Sequence, residues 1–189
     1  EASMLALYQF DADKEKEAGN EIETLTLVEI DEGKIGVIED GVKTAVASAT
    51  GAILARDLVN MPPNIATPAK LAATAKQIGD EHNMDIIVGG RKWARKHKMG
   101  AFLAVAQGAG FKPKFIVMEH NAGRDDLDTI VLVGKGITFD TGGISIKPSA
   151  NMGLMKSDMG GAAAVLGAMK TVGMLDMPLH VIGIVPATE

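Results

Sequence analysis

The stretch VGKGITFDTGGISIKPSANMGLMKSDMGG, residues 133–161, sets Lys135, Asp140, Lys147 and Asp158 among glycines and apolar residues. Carboxylates attract cations, and lysine offers either a charged donor or, once deprotonated, an amine lone pair. A surface loop would tolerate such charges, but would not need apolar residues between them. A site that binds cations and works on a substrate would use both. Each residue also has a plainer role open to it. A loop lysine is usually solvated, Asp140 before Thr-Gly-Gly fits a turn, and Asp158 fits the N-cap of a helix starting near Met159. Their combination on one segment is what favours chemistry.

Competing chemistries fit poorly. A phosphate-cradling loop needs Gly-Lys followed by Ser or Thr, but Gly136 follows Lys135 and Pro148 follows Lys147. No dinucleotide fingerprint opens a helix after a strand, and Ser145 lacks the flanking glycines of a nucleophile elbow. His82, His97, His120 and His180 are not spaced for a zinc helix.

Elements must carry these residues to one place. Residues 1–40 read as an acidic lead-in: DADKEKEAGNE as a charged turn, IETLTLVEI as an alternating strand, DEGK as a turn. Val42, Ala45, Val46, Ala49, Ile53 and Leu58 give helical periodicity from Gly41 to about Asn60, where the prolines of NMPPN end it. Thr67-Pro68 opens a second helix, reaching about His82. MDIIVGG reads as a short buried strand, RKWARKHKMG as a basic helix ended by glycine, and AFLAVAQGAG as an apolar, glycine-broken run. KFIVMEH and TIVLV read as strands buried on both faces, MGGAAAVLGAMKTVGML as a helix, and LHVIGIVPA as a last strand.

This alternation predicts an α/β fold with a largely parallel central sheet and helices on both faces, truncated at its C-terminal end. Ligands of open α/β sheets bind beyond the carboxyl ends of the strands. TIVLV would deliver Lys135 and Asp140 to that edge, and Gly134, Gly136, Gly142 and Gly143 would let the backbone turn there.

Composition excludes several classes. A length of 189 residues, 47% hydrophobic and 23% charged, suffices for one globular core. The net charge of −5 argues against nucleic acid or an anionic membrane as main partner. Without cysteine there is no disulfide framework and no thiolate metal site. No apolar run reaches the roughly 18–20 residues of a membrane span, and the first residues have no signal-peptide pattern.

The segment 133–169 closely resembles the core of the leucyl aminopeptidase (cytosol aminopeptidase) family of two-metal exopeptidases. RDLVNMPPNIATPAKLA and MGAFLAVAQGA are similar to that family as well. The resemblance covers residues 41–189 as the first part of a catalytic domain, and residues 1–40 resemble the end of an N-terminal domain and a linker. It implies that Lys135 binds the tighter metal as an uncharged amine, that Asp140 bridges both metals, and that Asp158 binds the same ion as Lys135. Lys147 would stay charged and act on the substrate carbonyl, and Met155 would line the pocket for the first side chain. The chemistry suits these types. A carboxylate can bridge two cations, a lowered pKa frees an amine to ligate, and an ammonium can stabilise an oxyanion.

The resemblance further implies two divalent ions, Zn or Mn, peptide substrates with a free N-terminus, release of leucine and other apolar residues, a homohexamer, and a cytoplasmic location. The family's downstream motif Asn-Thr-Asp-Ala-Glu-Gly-Arg does not occur before Glu189, and there is no initiator Met. The chain is therefore expected to be cut at both ends and, alone, to bind metal weakly and hydrolyse little. The alternative is a non-catalytic binding or assembly module that keeps the fold. RKWARKHK raises a weaker idea, DNA binding; a solvated amphipathic helix is the simpler reading.

Overall fold

The computed structural model describes residues 1–10, 22 and 24–189; the charged turn expected over residues 11–21 lies outside them. In chain order the elements are α1 (Ala2–Ala6), α2 (Ile35–Asn60), α3 (Pro68–His82), β1 (Asp85–Gly89), α4 (Arg91–Lys96), α5 (Gly100–Val105), β2 (Lys114–His120), β3 (Thr129–Val133), β4 (Gly136–Ile137), α6 (Gly160–Leu175) and β5 (His180–Thr188). The fold is α/β, a sheet flanked by helices.

The sheet runs β1-β2-β5-β3, with β4 pairing β5 beyond the end of β3. It is mixed rather than largely parallel. β2 runs antiparallel to both β1 and β5, whereas β3 and β4 run parallel to β5. The difference lies in the connecting helices. A parallel neighbour needs a crossover as long as the sheet is deep. The 16 residues of α6 provide one between β3 and β5. Between β1 and β2 the chain instead breaks into two six-residue helices, α4 and α5, each spanning only about 9 Å, so neither crosses the depth of the sheet, and β2 runs antiparallel.

Alternation along the strands separates two faces. Ile116 and Met118 of β2 and Val181 and Val185 of β5 are buried with α3 and α6 in the main core. α2 stacks outside α6 as a further layer. Their closest approach is at Gly51 and Gly167, where a Cβ on either would collide with the other's carbonyl. Thr171 Oγ1 donates to the Ala47 carbonyl nearby (3.1 Å). This small-residue contact replaces the expected stripe in part: Val42 and Val46 stay exposed, while Ala47 and Gly51 are buried. On the opposite face Phe115 packs with Trp93 (ring centroids 5.5 Å apart) and edge-on with Phe102 (5.6 Å). Val131 and Val133 on β3 are 51% and 67% exposed, so β3 is an edge strand, not one buried on both faces. β1 is likewise an edge, with Ile87 exposed.

Local signals mark some boundaries well. Thr67 caps α3 by accepting from Lys70 N, with Pro68 in the first turn and Asn83 in the left-handed conformation at its end. α2 starts at Ile35, ahead of Gly41, because a 3-10 turn capped by Asp31 leads straight into it. Residues 24–30 form no strand; Ile30 is 97% exposed, and among the described residues no strand pairs with them. α4 stops at Lys96, and Lys98 takes the left-handed position expected of glycine, while Gly100 opens α5.

Candidate metal centre

The carboxyl ends of β3 and β5 build the site. Gly134 N donates to the Ile184 carbonyl (2.9 Å), and Gly136 pairs with Ala187, so Lys135 is held at the sheet edge between two bonded glycines. A Cβ on Gly134 would collide with the Gly161 carbonyl. Glycine there lets the first turn of α6 rest on the loop, where Ala162 N donates to the Lys135 carbonyl (2.9 Å). That contact fixes the backbone of Lys135 against the helix preceded by Asp158. The two side chains then meet, with Lys135 Nζ 2.6 Å from Asp158 Oδ2.

Asp140 follows the last sheet bond, Thr138 N to the Thr188 carbonyl (2.8 Å). Its Oδ1 accepts from Gly142 N (2.9 Å), and Gly142 adopts φ +92°, which a side chain would strain. Lys147 N donates to the Thr141 carbonyl (2.9 Å) and closes the loop. Lys147 Nζ thereby reaches Asp140 Oδ2 (2.9 Å), the Asp140 carbonyl (3.1 Å) and Met155 Sδ (3.3 Å). Lys135 Nζ also lies 3.6 Å from Asp140 Oδ2. All five residues singled out in the sequence are thus joined in one cluster.

The plainer reading of Asp158 fails on geometry: α6 has no side-chain cap, and the Asp158 carboxylate is spent on Lys135. Met155, in a 3-10 turn over Met152–Ser157, touches Lys147 rather than filling the core. Two of the apolar residues between the charges, Ile144 and Ile146, do not pack inside but are exposed. Sequence reasoning passed over Lys156, whose ammonium donates to the Asn60 carbonyl (2.9 Å) and ties the 3-10 turn to the end of α2. A charge spaced like its neighbours carries no signal that its partner is a distant backbone carbonyl.

Electrostatics follow from these contacts. Lys147 and the Gly142 amide hold the Asp140 carboxyl down at about 2. The bond to Asp158 raises the Lys135 ammonium above its ordinary range, against the opposing effect of burial. An ammonium here touches both carboxylates, the position a bound cation would share. The donor types are hard oxygens plus one amine, which suits divalent cations such as Zn, Mn, Co or Mg to different degrees. Among the described residues, no three Asp, Glu or His side chains converge on one point. The chain therefore offers two carboxylates and one amine.

Residues 53–189 match the model of the cytosol aminopeptidase family, catalytic domain. A probable cytosol aminopeptidase of Azoarcus sp. (strain BH72) is 47% identical over 96% of this chain, and one from Roseiflexus castenholzii is 44% identical over all of it. The chain spans only 37% and 39% of their lengths. Among solved structures, the bottromycin maturation enzyme BotP in complex with Mn superposes with a TM-score of 0.81 at 31% identity, covering 98% of this chain and 37% of that one. Cytosol aminopeptidase from Coxiella burnetii gives 0.80 at 28% identity, covering 100% and 38%. With a family model over most of its length and relatives of this identity, the chain belongs to the cytosol aminopeptidase family.

Proposed function

We propose that this chain supplies the first part of a metal-dependent aminopeptidase that releases N-terminal residues, leucine and other apolar ones foremost, from peptides. The observation that carries the reading is the convergence of Lys135, Asp140, Lys147, Asp158 and Met155 at the carboxyl edge of the sheet. Asp140 and Asp158, with Lys135 as an amine, would hold two divalent cations, with Asp140 shared between them. Bound there, the metals supply a water that is nucleophilic near neutral pH. Lys135 must shed its proton to take part, and its present bond to Asp158 is the contact that a cation would replace. Lys147, held by the Asp140 carbonyl, keeps a charged donor beside the site for a developing oxyanion. Met155 borders that donor with a flexible, polarizable wall that suits varied apolar side chains.

The Mn named for BotP supports manganese as one occupant. A further structural neighbour, a mutant of tomato leucine aminopeptidase (40% identity, TM-score 0.71), supports the leucine preference. We further propose that residues 1–40 belong to a lead-in region and residues 41–189 to the catalytic domain, in a cytoplasmic homohexamer. Among the described residues no helix is long and apolar enough to cross a membrane.

Metal analysis of the full-length protein tests the reading. The purified enzyme should retain divalent metal, and Asp140→Ala should lose most of it together with activity. Equal metal content in both proteins would refute the assignment. With two carboxylates and one amine for two cations, the 189-residue chain alone should hydrolyse leucyl anilides far more slowly than the full-length protein in added Mn²⁺. Comparable rates would overturn that expectation.

A further inference from the structure

From Ile86 to Met118 the chain has no Asp or Glu, although its net charge is −5. Arg91, Lys92, Arg95, Lys96 and Lys98 fall within this interval, on or next to α4. Positions four apart share one face of a helix, and Arg91 and Arg95 together line an open cleft of about 380 Å³ between α4 and α5. Gly100, Leu103, Ala104 and Gln107 complete its wall. Among the described residues nothing acidic lines it. Arg91 is half-buried and anchored, donating to the Ala106 carbonyl (2.6 Å), which leaves its remaining guanidinium donors to the cleft. Arg95 is exposed and forms no ion pair among the described residues.

We infer that this cleft is a second binding site, for a small anion bearing a phosphate or carboxylate group. The guanidinium is a planar fork of donors matched to those oxyanions. Two forks with the Gln107 amide can satisfy several oxygens at once, and Leu103 and Ala104 offer apolar contact to the rest of a small molecule. The size falls within the range of small-molecule pockets. The strand that leads into α4, β1, runs the same way as β5, so the cleft lies at the carboxyl edge of the sheet, where α/β proteins collect ligands. At about 4.8 Å per strand, it is displaced along that edge from Lys135 and Asp158 and shares no residue with them.

The geometry disfavours a nucleic-acid strand as the occupant. Single-strand binders stack bases on exposed aromatic rings. Trp93, the aromatic residue within the basic run, is instead packed against Gly89, His97 and Phe115.

Calorimetric titration of the 189-residue chain with inorganic phosphate, and separately with citrate, tests the site. At least one should bind saturably, with stoichiometry near one. Phosphate alone would mark a phosphate-ester site, citrate alone a carboxylate site. Arg95→Gln should weaken that binding about tenfold or more, the loss expected of one charge-assisted contact. Lys96→Gln removes the same charge outside the cleft lining and should change it less than about twofold. Far-ultraviolet circular dichroism should be unchanged in both variants, since neither side chain holds a backbone group. No saturable binding of either anion, or equal weakening by the two variants, overturns the inference.

Discussion

Lys147 has the most exacting position in the cluster. Its ammonium is tied to the Asp140 carboxylate, the Asp140 carbonyl and Met155 at once. If its role is to meet charge that develops on the substrate carbonyl, Lys147→Ala in the full-length enzyme should cut kcat by about 10²–10³ with little change in KM, as for other oxyanion donors. A rise in KM at constant kcat would assign it to substrate binding instead. Asp140 makes a separate statement about pH. Its carboxyl falls from an ordinary 3.8 to about 2 through Lys147 and the Gly142 amide. A depressed carboxylate pKa stabilises the loop above the unfolded value, and that support is lost as pH falls through the folded one. Without added metal, protection of the Gly142 amide from hydrogen exchange should therefore hold down to about pH 4 and fade towards about pH 2. Loss of protection well above that window would show that the Asp140 contacts do not hold the loop.

Among the elements, the contact of α2 with α6 is the most demanding. Gly51 and Gly167 meet backbone to backbone, and a Cβ on Gly51 would also strike Thr171 Oγ1. Backbone cannot yield as a flexible side chain can, so Gly51→Leu should destabilise the fold by about 3 kcal/mol, the top of the usual overpacking range. Gly41 lies in the same helix with nothing near its missing Cβ. Gly41→Ala should stabilise by about 0.5–1 kcal/mol, since glycine is costly inside a helix. Urea unfolding of both variants checks the pair; similar effects would deny the close approach. These glycines also show what a sequence makes legible. α3 announces its start through Thr67 and Pro68, both local signals, and its end near His82 is where the structure places Asn83 in the left-handed conformation. The α2 stripe was misjudged at Val42 and Val46, because the helix it faces is more than a hundred residues away in the chain. Strand direction is hidden for a related reason: β1 and β2 read as buried parallel strands, whereas the connection between them is broken into the short helices α4 and α5 and β2 runs antiparallel. The site was the most legible part, since its four charges lie on one segment. The pairing of Lys147 with Asp140 was not, because it depends on the turn at Gly142.

At the scale of the whole molecule, one side of the sheet differs from the other. The face towards α3 and α6 is closed, but β3 pairs only with β5 among the described residues, and its outer edge carries free backbone donors and acceptors. Val131 and Val133 project from that edge strand, 51% and 67% exposed. An unpaired edge with β-branched apolar residues is a template for another strand. No charged side chain interrupts it, since TIVLV has none. The 189-residue chain in isolation should therefore associate as its concentration rises, with β3 as the seam. Val131→Lys places a charge in the middle of that edge, on the already exposed face, and should cost little in stability while keeping the chain monomeric. Sedimentation velocity over a range of concentrations distinguishes the outcomes. Concentration-dependent growth that Val131→Lys abolishes supports the seam. A wild-type chain that stays monomeric throughout, or a variant that associates equally, would mean that this edge is protected by something other than its partner strand.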